Sequence, residues 1–199
     1  MDVHFSPLQR RYTLEEFWAL PERSDHTHYN LIGGYLFLVP PPESPHGDVV
    51  SQTCSLLVRF LMETDDNGVH YFPPEPIYRH ENSTYLEPDM FFVSESLRAR
   101  MGLQHTSADI VFEVLTRGTN VYDRTTKADT YLVLGVRELW LIDPYSATIE
   151  IRHPSEGEKQ VWEIKKYSHG QQAKSRVLEG FEVSVSDLFA EISETGLQD

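Results

Sequence analysis

Residues 109–144 read DIVFEVLTRGTNVYDRTTKADTYLVLGVRELWLIDP, and this stretch decides the fold. Residues 109–115 and 138–143 are two short, largely apolar runs with the length of buried strands. Residues 120–134 lie between them and predict a helix, and Gly135 follows at the position where a helix commonly ends. A strand, a helix and a second strand in this order indicate a sheet with a helix packed on its face.

Further elements on both sides extend this unit. Thr13 and Glu16 have the spacing of a capping box and predict a short helix. Residues 46–62 predict an amphipathic helix that would cover the sheet. The other predicted elements are a hairpin over 29–39 with its turn at Gly33-Gly34, strands at 75–78 and 85–93, a hairpin of 148–152 with 161–167, a strand at 177–183 and a helix at 185–192. We therefore expect a single α/β domain over residues 1–199, with a mixed central sheet flanked by helices and added β-hairpins.

Composition limits the classes of protein to which this chain can belong. Of its 199 residues, 17 are Lys or Arg and 31 are Asp or Glu, which gives a formal net charge of −14. Cys54 is the single cysteine, so an internal disulfide and a cysteine zinc site are excluded. No apolar run approaches the ~18 residues that span a membrane, and the N-terminus lacks the pattern of a signal peptide. We expect a cytoplasmic protein with no membrane contact.

The charge is unevenly distributed along the chain. Residues 96–177 carry 12 basic and 10 acidic side chains, whereas residues 178–199 carry 6 acidic and no basic ones. The overall balance argues against general affinity for nucleic acid, because contacts to phosphates require Lys and Arg. The slight excess of basic side chains in residues 96–177 would nevertheless allow this part of the chain to bind an anionic partner.

Two carboxylates interrupt strands that are otherwise apolar. Asp89 follows Pro88 inside the predicted strand 85–93, and Glu113 lies inside the strand 109–115. A buried carboxylate costs several kcal/mol unless it is paired, protonated or bound to a metal. If the two strands are neighbours, a divalent cation would relieve the repulsion, and ligation by oxygen alone favours Mg²⁺ or Mn²⁺. In the alternative interpretation, Asp89 caps a strand end and Glu113 pairs with an arginine.

A basic residue on the predicted helix could complete this site. Asp123, Lys127 and Tyr131 follow one another at intervals of four and share one stripe of the helix. An ammonium group beside two metal-binding carboxylates could orient a water or stabilise a developing negative charge. The alternative is a surface ion pair between Asp123 and Lys127. His46 likewise has two interpretations, a role near the carboxylates or a surface position at the start of its helix.

These residues together resemble a known family. Glu113-Val-Leu-Thr, Asp123, Lys127, Tyr131, Gly135-Val136, Glu138 and Trp140 to Asp143-Pro144 are similar to the Uma2 family of proposed endonucleases in the PD-(D/E)XK, restriction-endonuclease-like superfamily. The similarity extends to Pro88-Asp89 and His46 and covers roughly residues 12–190. The resemblance implies a metal-dependent endonuclease acting on DNA, with catalytic residues Asp89, Glu113 and Lys127. It also implies that Asp89 and Glu113 bind Mg²⁺ (or Mn²⁺), while Lys127 substitutes for a lysine that the superfamily usually has at the position of Leu115.

Other features keep a second function open. The family usually carries Glu at the position of Asn30, so a carboxylate that could help to bind the metal is missing here. Together with the net charge of −14, this favours the alternative of a catalytically degenerate nuclease fold that acts as a binding or assembly module. Cutting both strands of a duplex calls for two active sites related by symmetry, so we expect a homodimer. The resemblance implies that its partner is nucleic acid, namely DNA. Five basic residues of the C-terminal part could contact phosphates or could be ordinary solvated side chains: Lys159, Lys165, Lys166, Lys174 and Arg176.

Overall fold

The computed structural model describes residues 10–190. Its helices are α1 Leu14–Trp18, α2 His46–Glu63, α3 Glu95–Met101, α4 Asn120–Tyr122, a π-helical turn Asp123–Lys127, α5 Ala128–Leu134 and α6 Val185–Ala190. Its strands are β1 His28–Ile32, β2 Tyr35–Val39, β3 Val69–Tyr71, β4 Ile77–Arg79, β5 Thr84–Leu86, β6 Met90–Val93, β7 Ile110–Val114, β8 Glu138–Asp143, β9 Thr148–Pro154, β10 Trp162–Tyr167, β11 Gln172–Lys174 and β12 Glu182–Ser184. None of the helices in this part of the chain is long and apolar enough to cross a membrane.

A mixed sheet of six strands forms the centre of the fold, as the sequence predicts. Its order is β10-β9-β8-β7-β6-β3. Strands β7 and β8 are parallel, and the other neighbours are antiparallel. Parallel strands need a crossover connection, which α4, the π-helical turn and α5 provide. Both strands are buried along their whole length, which explains their nearly continuous apolar sequence.

Helices cover both faces of this sheet. On one face, α2 contributes Val49 and Leu57 to a core that contains Phe112 and Trp140. On the other face, α5 packs Tyr131 and other apolar residues against the alternate residues of β7 and β8. Side chains alternate along a strand, so Phe112 faces α2 and its neighbour Glu113 faces α5. This alternation places the carboxylate of Glu113 on the same side as the helix with Lys127.

The two predicted hairpins are present. β1 and β2 pair with Ile32 opposite Tyr35, so Gly33 and Gly34 form the two-residue turn. Both glycines have positive φ, 58° and 86°, as a turn of this type requires. This hairpin joins a second sheet of order β2-β1-β5-β4, whereas the hairpin of β9 and β10 extends the central sheet.

The prediction of one strand over residues 85–93 is wrong. The chain forms two strands there, and β5 belongs to the four-stranded sheet while β6 belongs to the central sheet. The break occurs at Pro88, which has no N–H for a strand ladder. Asp89 follows it and is bonded through its side chain to β7. Asp89 therefore lies at the junction between the two sheets.

Several smaller differences occur at short elements. The predicted strand 75–78 is displaced to β4, and β3, α3 and β11 are present without having been predicted. The predicted strand 177–183 is reduced to β12, because the Ser175 hydroxyl accepts hydrogen bonds from the N–H groups of Val177 and Leu178 and turns the chain. The predicted terminal helix is present as α6, and its last two residues lie outside the described residues.

Candidate active site

Asp89 is fixed at the carboxyl end of the strand that carries Glu113. Its Oδ2 accepts a hydrogen bond of 2.7 Å from the backbone N–H of Val114 in β7. Its Oδ1 lies 3.0 Å from Nε2 of His46, and the side chain is 21% exposed. The carboxylate therefore has a defined orientation and remains accessible to a ligand.

His46 contacts this carboxylate from the first residue of α2. Its side chain is 11% exposed, so the interpretation of His46 as a surface residue is wrong. The imidazole lies against Asp89 because α2 begins directly after the proline-rich loop that follows β2. A histidine in this place can orient a carboxylate in the way that outer partners orient metal ligands.

Glu113 is almost completely buried, and both of its oxygens accept hydrogen bonds. Lys127 Nζ donates to Oε2 over 2.8 Å, and the Tyr131 hydroxyl donates to Oε1. The alternative in which Glu113 pairs with an arginine is therefore wrong, because its partners are a lysine and a tyrosine. These two donors hold the carboxylate in one position.

Lys127 points into the protein and not into solvent. Its side chain is 6% exposed, and Nζ also lies 3.8 Å from Oδ1 of Asp123. The same ammonium is 3.5 Å from the backbone oxygen of Glu87. Asp123 and Lys127 bound a π-helical turn, a feature that occurs often at functional sites. The shared stripe predicted from the sequence is therefore present, with the pair in the interior.

Burial and neighbouring charges perturb the ionisation of this group of residues. Burial raises the pKa of Glu113 to about 8, and the nearby charges of Lys127 and Asp89 act on it in opposite directions. Burial opposes the charged form of Lys127, but the carboxylates of Glu113, Asp123 and Asp89 raise the pKa of its ammonium above the ordinary value. Burial also raises the pKa of Asp123. The ammonium of Lys127 therefore lies between the buried carboxyl groups of Glu113 and Asp123, and the charge of the more exposed Asp89 also acts on it.

Four further residues border the site: Asn30, Tyr122, Glu87 and His28. Of these, the sequence singles out Asn30 alone. The side-chain amide of Asn30 donates to the hydroxyl of Tyr122 over 3.1 Å, and its oxygen accepts from the N–H of Glu87 over 3.3 Å. His28 lies on the same face of β1 as Asn30, and burial lowers the pKa of its imidazole. The predicted hairpin begins at residue 29 and so leaves out His28, which is the first residue of the observed strand β1.

Asp89 and Glu113 provide oxygen ligands of the kind that a hard divalent cation prefers. Mg²⁺ is commonly bound by one or two carboxylates, and water and substrate phosphate complete its shell. Asp89 and Glu113 offer oxygen atoms alone, and an ionised carboxylate has about four lone-pair sites, so existing hydrogen bonds leave capacity for a metal. Within residues 10–190, no group of three or more His, Cys, Asp and Glu side chains is arranged to hold a metal ion. A cation bound here would therefore depend on solvent or substrate for its remaining ligands.

Four of the five basic residues named in the C-terminal part lie outside this site. Lys165 and Lys166 lie on β10, which two strands separate from β7. Lys174 pairs with Glu182 over 2.8 Å, and Arg176 pairs with Glu163 over 3.2 Å. Partners of this kind are typical of solvated surface side chains.

Comparisons with known proteins identify the family. The Uma2 family, described as "Putative restriction endonuclease", matches residues 14–186. No curated protein matches the sequence. The fold is similar to the crystal structure of "a putative nuclease belonging to DUF820 from Anabaena variabilis ATCC 29413", with a TM-score of 0.72 and 19% identity, covering 90% of this chain and 98% of that one. This similarity confirms the predicted restriction-endonuclease-like fold class, and because the family match spans most of the sequence, the chain belongs to the Uma2 family.

Proposed function

We propose that this protein is a metal-dependent endonuclease that hydrolyses DNA phosphodiester bonds. In this proposal Asp89 and Glu113 bind Mg²⁺ (or Mn²⁺), and Lys127 stabilises developing charge or orients the attacking water. The observation that carries it is the 2.8 Å contact between Lys127 and Glu113, in a family described as "Putative restriction endonuclease".

The protein's own residues would keep this site organised before substrate arrives. Val114 N–H and His46 fix Asp89, while Lys127 and Tyr131 fix Glu113. Preorganised groups need no rearrangement as charge develops, which is a large part of electrostatic catalysis. A bound divalent cation would supply Lewis-acid activation of water and neutralise phosphate charge.

Lys127 would supply the ammonium that the superfamily usually places on the strand. The strand position is occupied by Leu115, which is fully buried in the core below α5. Lys127 contacts Glu113 from the helix that packs on the same face of the sheet. A positive charge can therefore lie beside Glu113 without a lysine on the strand. In this proposal the Lys127 ammonium would stabilise an oxyanion that develops next to the carboxylates.

The substrate would be DNA, and the protein would act as a homodimer in the cytoplasm.

Arg117 lies in the loop between β7 and α4, four residues after Glu113. Its guanidinium stacks on the ring of Tyr145 at 4.9 Å, and it forms no salt bridge within the described residues. It is therefore a suitable contact for a phosphate that approaches the end of β7.

Asn30 favours a second candidate function, a degenerate nuclease fold that acts as a binding or assembly module. Asn30 is fully buried and hydrogen-bonded to Tyr122 and Glu87, and its neutral amide contributes no negative charge at this position. Fewer carboxylates weaken the attraction for a divalent cation.

Metal titration and a nicking assay separate the two functions. Calorimetry should detect Mn²⁺ binding to the wild type and much weaker binding to Asp89→Asn and Glu113→Gln. Nicking of supercoiled plasmid should require Mn²⁺ or Mg²⁺ and should be lost in Asp89→Asn and Lys127→Ala. Glu163→Gln, which alters an exposed carboxylate outside the site, serves as the control. Absent metal binding with an intact fold would support the binding module, and cleavage that persists in both site variants would indicate a contaminant.

A further inference from the structure

A cleft of about 310 Å³ opens beside the candidate active site. This volume lies at the lower end of the range of about 300–1,000 Å³ that is typical of small-molecule sites. Its walls include three aromatic rings, from Phe17 at the end of α1, Tyr29 in β1 and Tyr85 in β5. Phe17 and Tyr85 pack together with their ring centroids 4.8 Å apart, which fixes the orientation of both rings. The cleft is therefore a preformed aromatic surface.

Glu87 connects this cleft to the candidate active site. Its side chain lines the cleft and accepts a hydrogen bond of 3.1 Å from the Tyr85 hydroxyl. Its backbone oxygen lies 3.5 Å from Lys127 Nζ, and two residues later the chain reaches Asp89. His28 also lines the cleft and interacts electrostatically with Lys127 and Asp89. A ligand in the cleft would thus lie next to the groups proposed to act on a phosphodiester.

The charges in the cleft favour a neutral ligand that donates hydrogen bonds. Glu22 and Glu87 supply carboxylates that repel a phosphate. The cationic side chain of the lining is Arg23, and it is already bound by Asp25, Thr27 and the Tyr29 hydroxyl. Aromatic faces stack with nucleobases of any sequence, and carboxylates accept hydrogen bonds from the exocyclic amino group of cytosine.

We propose that the cleft binds one unpaired nucleobase that carries an exocyclic amino group, with cytosine as the clearest case. This inference rests on the proposed function and specifies its substrate as DNA with an unstacked nucleotide at the site. A base inside a duplex is stacked and paired, so it must leave the helix before it can enter. Single-stranded or frayed DNA therefore binds better than intact duplex.

Fluorescence anisotropy with labelled oligodeoxycytidylate and oligothymidylate of equal length tests the proposal. The wild-type chain is used without a divalent cation, so that binding is measured in the absence of cleavage. Oligodeoxycytidylate should bind about tenfold more tightly than oligothymidylate, as one hydrogen bond to a charged acceptor predicts. A duplex of the same length should bind more weakly than oligodeoxycytidylate.

Two variants relate the preference to the cleft. In Glu87→Gln the ratio of affinities for oligodeoxycytidylate and oligothymidylate should fall to about one, because an amide can also donate to O4 of thymine. Tyr85→Leu should weaken binding of both oligonucleotides by about tenfold through loss of stacking. Tyr78 is the cross-strand partner of Tyr85 but does not line the cleft, so Tyr78→Leu is the matched control and should bind like the wild type.

Failure of this inference can be distinguished from failure of the proposed function. Equal affinity for the two oligonucleotides, or a preference that Glu87→Gln leaves unchanged, overturns the inference even if plasmid is cleaved. A cytosine preference that depends on Glu87, in a protein that cleaves nothing, supports the inference and contradicts the nuclease function. Circular dichroism of each variant shows whether lost binding reflects lost folding, and Glu87→Gln, which preserves side-chain size, keeps the test valid if Tyr85→Leu unfolds.

Discussion

The imidazole of His46 and the carboxylate of Asp89 lie 3.0 Å apart, joining the first turn of α2 to the junction between the two sheets. This contact orients the Asp89 oxygen that does not bond to β7. We predict that His46→Ala weakens Mn²⁺ binding about tenfold, in line with the loss of an outer partner of a metal ligand. Calorimetry measures the affinity, and His46→Gln, which keeps a donor, should lose less. Equal affinity of wild type and His46→Ala would contradict a positioning role.

The buried pair of Lys127 and Glu113 should couple strongly in stability. We predict that Lys127→Met lowers the free energy of unfolding by about 3–5 kcal/mol, because Glu113 then lacks its cationic partner in the interior. The double variant Lys127→Met with Glu113→Gln should recover part of this loss, since Glu113 then carries no unpaired charge, while Asp123 still lacks its contact with Lys127. Urea unfolding of both single variants and the double variant gives the coupling energy. Additive losses would show that the two side chains do not depend on each other.

Glu138 should make the fold sensitive to acid. It is fully buried on the α2 side of β8, where it accepts hydrogen bonds from Trp140 Nε1, His153 Nε2 and the N–H of Arg176. Burial alone would raise its pKa, but these hydrogen bonds lower the pKa below the ordinary value of 4.5. A lowered pKa in the folded state contributes stability above pH 4.5 that is lost as the pH falls through the folded value.

Substitution of Glu138 tests this effect directly. Glu138→Gln should cost about 1–3 kcal/mol at neutral pH, because a charged acceptor is replaced by a neutral one. The difference from wild type should shrink as the pH falls below 4.5 and through the lowered folded pKa, where the wild-type carboxyl becomes protonated. Glu163→Gln removes an exposed partner of Arg176 and should cost only about 0–1 kcal/mol at any pH. A loss for Glu138→Gln that is independent of pH would contradict the assignment.

Local sequence pattern predicts the unit of β7, the crossover helix and β8 well, because each of its elements is specified by its own residues. Apolar runs give the strands, and Gly135, with φ of 84°, ends the helix. The separation of β5 from β6 depends instead on long-range pairing, since β5 joins β1 through Leu31 and Tyr85. A run of apolar residues does not specify the sheet to which it belongs.

The site likewise contains residues that local sequence marks and residues that only long-range contacts bring together. Asp89 and Glu113 could be selected because carboxylates in apolar strands are unusual. Lys127 could be selected because it shares one stripe of its helix with Asp123 and Tyr131. The contacts of Asn30 with Tyr122 and Glu87 join segments that are distant in sequence, and no local pattern marks them. His46 had two open interpretations because the orientation of the first residue of a helix depends on the loop that precedes it.

Exposed apolar residues on the two hairpins support the proposed dimer. Leu38 on β2 is 54% exposed and Ile164 on β10 is 57% exposed, and both strands lie at sheet edges. Edge strands with apolar side chains are common sites of association. Light scattering should give twice the chain mass of 23.0 kDa at micromolar concentration. Leu38→Asp or Ile164→Asp should produce monomers, and a wild-type monomer at all concentrations would refute the dimer.

Asn30→Glu should increase both metal affinity and any cleavage. The new carboxylate can accept hydrogen bonds from the N–H of Glu87 and the hydroxyl of Tyr122, so the local contacts of Asn30 are retained. It adds negative charge to a buried region that already holds Glu113 and Asp123, so the variant should be less stable without metal. Mn²⁺ should then raise its melting temperature more than that of the wild type, because a ligand that binds the folded state more tightly stabilises it more at the same concentration. Asn30→Asp, whose shorter side chain reaches less far, is the matched control. An unchanged Mn²⁺ response with no nicking in any variant would mean that the missing carboxylate does not limit catalysis, and the binding-module function would then be favoured.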